Sequence, residues 1–284
     1  MRRFDRMSRL VAIVAAIVVV AAILLPSLPA VAGDAVSHTI DVNGVSRDYL
    51  LYVPPGQSGK LLPAFIVLHG SGSTDAQQET YSNFDAFAQA HGLVVMYPQG
   101  IDKHWNDGRV IGHESAADDI GFMKAMLAEV TAQGLIDPKR VYLTGLSMGG
   151  FGALKCGLSH PELYAGCASF SGVGDLSILL GEYQTEDNIG EMRGTFGPEL
   201  IVKARDDLRL LANQAGSLPR EQRPRVLITC GTRDFLHESN RELRDYLRSL
   251  PLDFRYEEWE GDHEWGFWDK SVQIALEEFF PENA

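Results

Sequence analysis

The sequence predicts an α/β domain: a doubly wound, mostly parallel β-sheet entered through an N-terminal β-hairpin. Three observations carry that expectation. Strand-like runs recur at Ala64–Leu68, Leu93–Tyr97, Val141–Thr144, Ala165–Phe170 and Arg225–Cys230, and short continuous apolar runs are what strands buried on both faces look like. Stretches with helical spacing of apolar residues stand between most of them, the alternation that covers a parallel sheet on both sides. Finally, Asn43-Gly44 interrupts two strand-like stretches within residues 38–53, and this pair supplies the positive φ angles of a two-residue hairpin turn.

Composition sets the limits. The 284 residues are 45% hydrophobic and 22% charged, enough for a large core and too apolar for a disordered chain. With 38 Asp and Glu against 25 Lys and Arg, a formal net charge of −13, the surface is unsuited to tracking phosphates, which excludes nucleic acid as the expected partner.

Residues 1–32 are set aside from the fold. Arg2, Arg3, Arg6 and Arg9 precede an apolar run of 16 residues, Leu10–Leu25, followed by Pro26, Pro29 and Ala30-Val31-Ala32. That is the layout of a secretory signal peptide cut after Ala32. A retained anchor is the alternative, but the run falls short of the roughly 20 residues a spanning helix needs. The expected product is exported, periplasmic or extracellular, and meets the membrane only transiently through this segment. Losing four Arg and one Asp would take its charge from −13 to −16.

After the hairpin come the strand 64–68, a helix over Thr80–His91 and the strand 93–97. Asp118 or Asp119 can cap a helix whose apolar positions Ile120, Met123, Leu127 and Val130 share one face, with Gly134 ending it. The strand 141–144, a helix from Met148 to Leu158 and the strand 165–170 follow. The segment 172–224 is too long for a connection in this architecture and carries Gly181, Gly190, Gly194, Gly197 and Gly216, so it reads as an insertion over the strand ends before the strand 225–230. A helix over Glu238–Leu250, a strand at Phe254–Trp259 and a helix over Lys270–Phe280 complete the chain. Cys156, Cys167 and Cys230 have neither metal-site nor redox-pair spacing and read as buried small hydrophobes, with a Cys156–Cys167 disulfide as the alternative.

The chemistry is expected in loops at strand ends. Gly145-Leu-Ser147-Met-Gly149 joins a strand to a helix, the context in which small residues let the chain turn sharply and leave a strained serine exposed as a nucleophile. A serine hydroxyl needs a base, and the base needs an orienting acid. Asp234 follows one strand in Gly231-Thr-Arg-Asp234, and His263 follows the last strand in Glu260-Gly-Asp-His263, in the order Ser, Asp, His. Asp262 competes for the acid's role and His237 for the base's. An oxyanion requires two backbone donors: Met148 after the serine, and Ser71 or Gly70 in the loop His69-Gly-Ser-Gly-Ser73. His69 is expected to hold that loop. Trp105, Trp265 and Trp268 are candidates to stack on the substrate, against core packing as the alternative, above all for Trp268. Neither a metal nor a cofactor is implied.

Leu68-His-Gly70, Tyr97-Pro-Gln-Gly100, Trp105-Asn-Asp-Gly-Arg109, Asp118-Asp-Ile-Gly-Phe122 and Asp137-Pro-Lys-Arg-Val141 lead into Gly145-Leu-Ser-Met-Gly149. This combination resembles the secreted esterase group that includes polyhydroxyalkanoate depolymerases, feruloyl esterases and acetylxylan esterases. Gly231-Thr-Arg-Asp-Phe235 and Gly261-Asp-His-Glu-Trp-Gly-Phe-Trp268 are similar to the tributyrin-esterase and S-formylglutathione-hydrolase branch. The resemblance implies an α/β-hydrolase fold, a metal-free serine carboxylesterase acting on small or polymer-derived esters, and Ser147, Asp234 and His263 as the triad. Depolymerase-like members often carry Asn after the serine, where this chain has Met148. Two alternatives stay open: acyl transfer to another alcohol, as in the related mycolyltransferases, and an inactive hydrolase-fold binding protein.

Overall fold

The computed structural model describes residues 34–57, 59–108, 117–177, 193, 199 and 201–280. The expected signal segment lies outside them. Among the described residues no helix is long and apolar enough to cross a membrane.

The chain opens with β1 (Val36–Val42) and β2 (Val45–Tyr52), an antiparallel hairpin in register Val42↔Val45. Asn43 and Gly44 turn it with φ of 56° and 83°, the left-handed pair that the sequence predicts. β3 (Leu62–Leu68), β4 (Val94–Pro98), β5 (Ile136–Leu146), β6 (Gly166–Phe170), β7 (Arg225–Gly231) and β8 (Asp253–Trp259) complete an eight-stranded sheet in the order β1-β2-β4-β3-β5-β6-β7-β8. β2 pairs with β4 antiparallel, and every later pairing is parallel.

The helices are α1 (Asp75–Ser82), α2 (Phe84–His91), α3 (Asp119–Ala132), α4 (Met148–Ser159), α5 (Leu208–Gly216), α6 (His237–Leu247) and α7 (Trp265–Phe279). α5 packs against both α4 and α6, whereas α7 packs against α1. The order reverses at β3: the chain runs outward to β4, then crosses back to β5 on the other side of β3. Such a switch point opens a crevice at the strands' carboxyl ends, and the loop after β3 and the turn after β5 both lie there.

Three expectations change. The helix over Thr80–His91 is two helices, because Asn83 adopts φ 53° and ends one as it begins the next; its side-chain amide donates to Asp269 Oδ1 at 3.3 Å. The final helix begins at Trp265 rather than Lys270. The segment 172–224 is not wholly an insertion, since α5 is the crossover that the parallel β6–β7 pairing demands. Asp207 caps it by accepting from the amides of Arg209 and Leu210. Leu208, Leu211, Ala212 and Ala215 are its buried stripe, a helical period that the surrounding glycines obscured. Of that segment, residues 178–192, 194–198 and 200 lie outside the described residues. All three cysteines are free and buried.

Candidate active site

Ser147 stands between β5 and α4 with φ 54° and ψ −122°, a backbone state that non-glycine residues hold only where the surroundings enforce it. The enforcement is visible. The Ser147 amide donates to the Phe170 carbonyl of β6 at 2.9 Å, and its carbonyl accepts from Phe151 at 3.1 Å. A Cβ on Gly145 would lie 2.5 Å from the Gly149 backbone, and one on Gly149 would lie 2.3 Å from the Leu68 carbonyl oxygen. Both positions therefore exclude any side chain, and their closeness locks the serine turn onto the end of β3.

The loop after β3 lies against that turn, where a Cβ on Gly70 would be 3.5 Å from Ser147 Cβ. His69 is fully buried and anchors the loop: Nε2 accepts the Gly100 amide at 3.0 Å, so Nδ1 carries the proton and donates to the Gly70 carbonyl at 2.8 Å. Burial pushes its pKa down to about 4, consistent with a ring that has one donor and one acceptor role to fill. Among the described residues, the amide N–H groups of Ser71 and Met148 and the Ser147 hydroxyl make no hydrogen bond.

Asp234 and His263 come from the loops after β7 and β8. A Cβ on Gly231 would lie 2.3 Å from the Gly261 carbonyl oxygen, an approach that only glycine permits, and it brings the two loops together. Thr232 and Arg233 donate to the Trp259 and Gly261 carbonyls, both at 3.0 Å. Asp234, 5% exposed, then presents Oδ2 to His263 Nδ1 at 2.9 Å, while its Oδ1 accepts the Leu236 amide at 2.9 Å. Burial raises the carboxyl's pKa, but the His263 hydrogen bond and charge, the Leu236 amide and Ser171 together bring it below the ordinary carboxylate value.

The competing residues are committed elsewhere. Asp262 is exposed and pairs with Arg233 at 3.0 Å, and His237 Nε2 meets Glu258 Oε2 at 3.0 Å. Trp105 is 3% exposed, and its indole N–H donates to the His69 carbonyl at 2.8 Å, so it is built into the loop support rather than presented as an open stacking platform. Trp265 is half-buried on the first turn of α7 and packs on Tyr81 and Trp268, with ring centroids 5.3 and 5.2 Å away. Two further rings flank His263: Trp268, buried and edge-on at 4.9 Å, and Phe235, not singled out from sequence, at 4.8 Å. Phe235 is 58% exposed, and its position directly after the acid was the available signal.

A cavity of about 320 Å³ lies between α3 and α4 behind Trp105, and neither Ser147 nor His263 is among its lining residues. Among the described residues no cluster of three or more His, Cys, Asp or Glu is placed to hold a metal ion.

A doubly wound sheet with a strained serine at one strand end and a carboxylate–histidine pair at two others defines an α/β-hydrolase. The chain belongs to the family described as "Putative esterase", whose model matches residues 43–279, a family of hydrolases acting on ester bonds. It is 29% identical over 231 residues to the acetyl esterase of Caldicellulosiruptor saccharolyticus, covering 76% of this chain and 82% of that protein. It is 32% identical over 127 residues to feruloyl esterase B of Neurospora crassa, covering 43% of this chain and 42% of that protein. Its fold matches an S-formylglutathione hydrolase from Agrobacterium tumefaciens with TM-score 0.69 and 19% identity, over 90% of this chain and 97% of that one.

Proposed function

We propose that the protein is an exported serine carboxylesterase that cleaves carboxylic esters through an acyl-enzyme intermediate. The observation that carries this reading is the buried Asp234 carboxylate on His263 Nδ1, at the same carboxyl-end side of the parallel strands as a serine held in a strained turn.

In this mechanism, Ser147 attacks the ester carbonyl as His263 Nε2 takes its proton, and Asp234 stabilises the imidazolium at Nδ1. Charge that develops on the carbonyl oxygen is met by the Met148 amide and by the Ser71 amide, with Gly70 next to it; such donors lower acyl-transfer barriers by about 3–4 kcal/mol each. His263 passes its proton to the leaving alkoxide, and the acyl group stays on Ser147. Water, deprotonated by the same imidazole, then releases the acid. The named activities of the relatives make acetyl and feruloyl esters the first substrates to try.

The test is fluorophosphonate treatment with peptide mapping and an ester-hydrolysis assay on one sample. Modification of Ser147 with parallel loss of hydrolysis is expected; a folded protein that shows neither would overturn the reading. Export predicts a mature chain that begins at Gly33, to be read by intact mass and N-terminal sequencing of secreted material. A secreted protein retaining residues 1–32 would refute cleavage after Ala32.

A further inference from the structure

A chain of buried polar contacts lies behind the oxyanion loop and ends on it. Besides donating to the His69 carbonyl, Trp105 packs its ring on the His69 ring, with centroids 4.8 Å apart. The next residue, Asn106, is a hub. Its amide donates to Asp119 Oδ2 at 2.7 Å, its side-chain nitrogen to the Ala117 carbonyl at 3.0 Å, and its carbonyl accepts from Lys155 Nζ at 2.7 Å. Each charged partner is paired in turn: Asp119 Oδ1 sits 2.8 Å from Arg47 Nη2, and Lys155 Nζ sits 2.5 Å from Asp206 Oδ1. All four charged residues are buried.

Two buried ion pairs are a poor way to gain stability, because desolvation offsets most of their attraction. Here they do something that apolar packing cannot. Asp119 fixes the N–H and Lys155 the C=O of one residue, so β2, α3, α4 and the turn at Ala204–Asp206 converge on Asn106 and set the direction in which Trp105 points. Trp105 holds the His69 carbonyl, and His69 Nδ1 holds the Gly70 carbonyl, which also accepts from Ser73 at 3.2 Å. Among the described residues no peptide bond is cis, so N–H and C=O point in opposite directions across each peptide unit. Tethering those two carbonyls therefore turns the Gly70 and Ser71 N–H groups to the other side.

We propose that Trp105 is a positioning residue for the oxyanion donors, held in place through Asn106 by the Arg47–Asp119 and Lys155–Asp206 pairs. This rests on the esterase reading above, and it gives Trp105 no contact with substrate. The sequence-based alternative, stacking on the substrate, differs in its kinetic signature. A misplaced donor lowers kcat by a common factor for every ester, whereas a lost contact raises KM for some and spares others.

The experiment compares Trp105→Phe, which keeps a ring but loses the N–H, with the double variant Lys155→Met/Asp206→Asn, which removes a whole ion pair and leaves no lone buried charge. Each is assayed on alkyl, aryl and glycosyl acetates, with amide hydrogen exchange followed in the peptide that spans residues 69–73. The expected result in both variants is a kcat loss of about tenfold shared by all three acetates, KM within about twofold, and faster exchange at 69–73. Unchanged kcat in a folded variant, a substrate-dependent KM effect or unchanged exchange at 69–73 would overturn the proposal; should one variant not fold, the other decides. A wild-type protein that neither hydrolyses esters nor reacts with fluorophosphonate would sink the esterase reading, and the exchange measurement would still report separately on the brace.

Discussion

Asp234 meets His263 across 29 residues of sequence, Oδ2 to Nδ1 at 2.9 Å, while Asp262, the histidine's immediate neighbour, is turned outward onto Arg233. The distant acid reaches the ring because Gly231 and Gly261 let two loops touch; the adjacent one is exposed and held by Arg233. Asp234→Asn should therefore lower kcat by about 10⁴-fold, since an amide cannot hold the productive tautomer or the imidazolium. Asp262→Asn should change it by no more than about threefold, as expected for an exposed pair. Steady-state kinetics on one chromogenic acetate checks both, and the reverse ranking would reassign the acid.

The serine turn makes a stability prediction. Gly149→Ala would place a Cβ 2.3 Å from the Leu68 carbonyl oxygen, against backbone that cannot move without displacing β3. Overpacking of this kind should cost at least about 3 kcal/mol. Gly134, at φ +71° with nothing within 4 Å of its absent Cβ, isolates backbone strain from crowding, and its alanine variant should lose only about 1–2 kcal/mol. Urea denaturation of the two variants separates these causes, and equal losses would contradict them.

What was legible in the sequence is what single residue types report directly. Glycine at 145 and 149 announces a turn without room for a side chain, and Asn43-Gly44 announces positive φ; both read through to the structure. The pairing of Asp234 with His263 was legible from chain order and strand-end position. Less was legible where tertiary context decides. Asn83 breaks a helix that periodicity alone would continue, and the partner at the break, Asp269, lies 186 residues away. α5 has a regular apolar stripe, yet it sits inside a long glycine-rich segment that hid the crossover. A loop tryptophan reads equally as platform or prop, and only the partner of its N–H, the His69 carbonyl, distinguishes them.

His69 should make the fold sensitive to acid. Its folded pKa is lowered to about 4 from 6.5, so between those values the unfolded chain binds a proton that the native ring refuses. Stability therefore rises with pH across that window and levels off above it. The measurement is the urea midpoint from pH 4 to 7 in wild type and in His69→Gln. The variant should be less stable at pH 7, having lost the anchor, and its midpoint should depend less steeply on pH. An equal slope in both would assign the acid sensitivity to other groups.

Phe235 supplies the last prediction. The residue is 58% exposed, with its ring 4.8 Å from the His263 ring, so it contributes little to the core and stands beside the group that the proposed mechanism assigns to protonate the leaving alkoxide. In that mechanism the alcohol half of an ester departs past His263, whereas the acyl half stays with Ser147. Phe235 should then act on alcohol preference and leave acyl preference alone. An aromatic contact contributes about 1 kcal/mol beyond area burial, so Phe235→Ala should lower kcat/KM for benzyl acetate about fivefold relative to cyclohexylmethyl acetate, a pair close in size and leaving-group basicity. The ratio between acetate and butyrate esters of one alcohol should not move. A change in that acyl ratio instead would place Phe235 on the other side of the scissile bond.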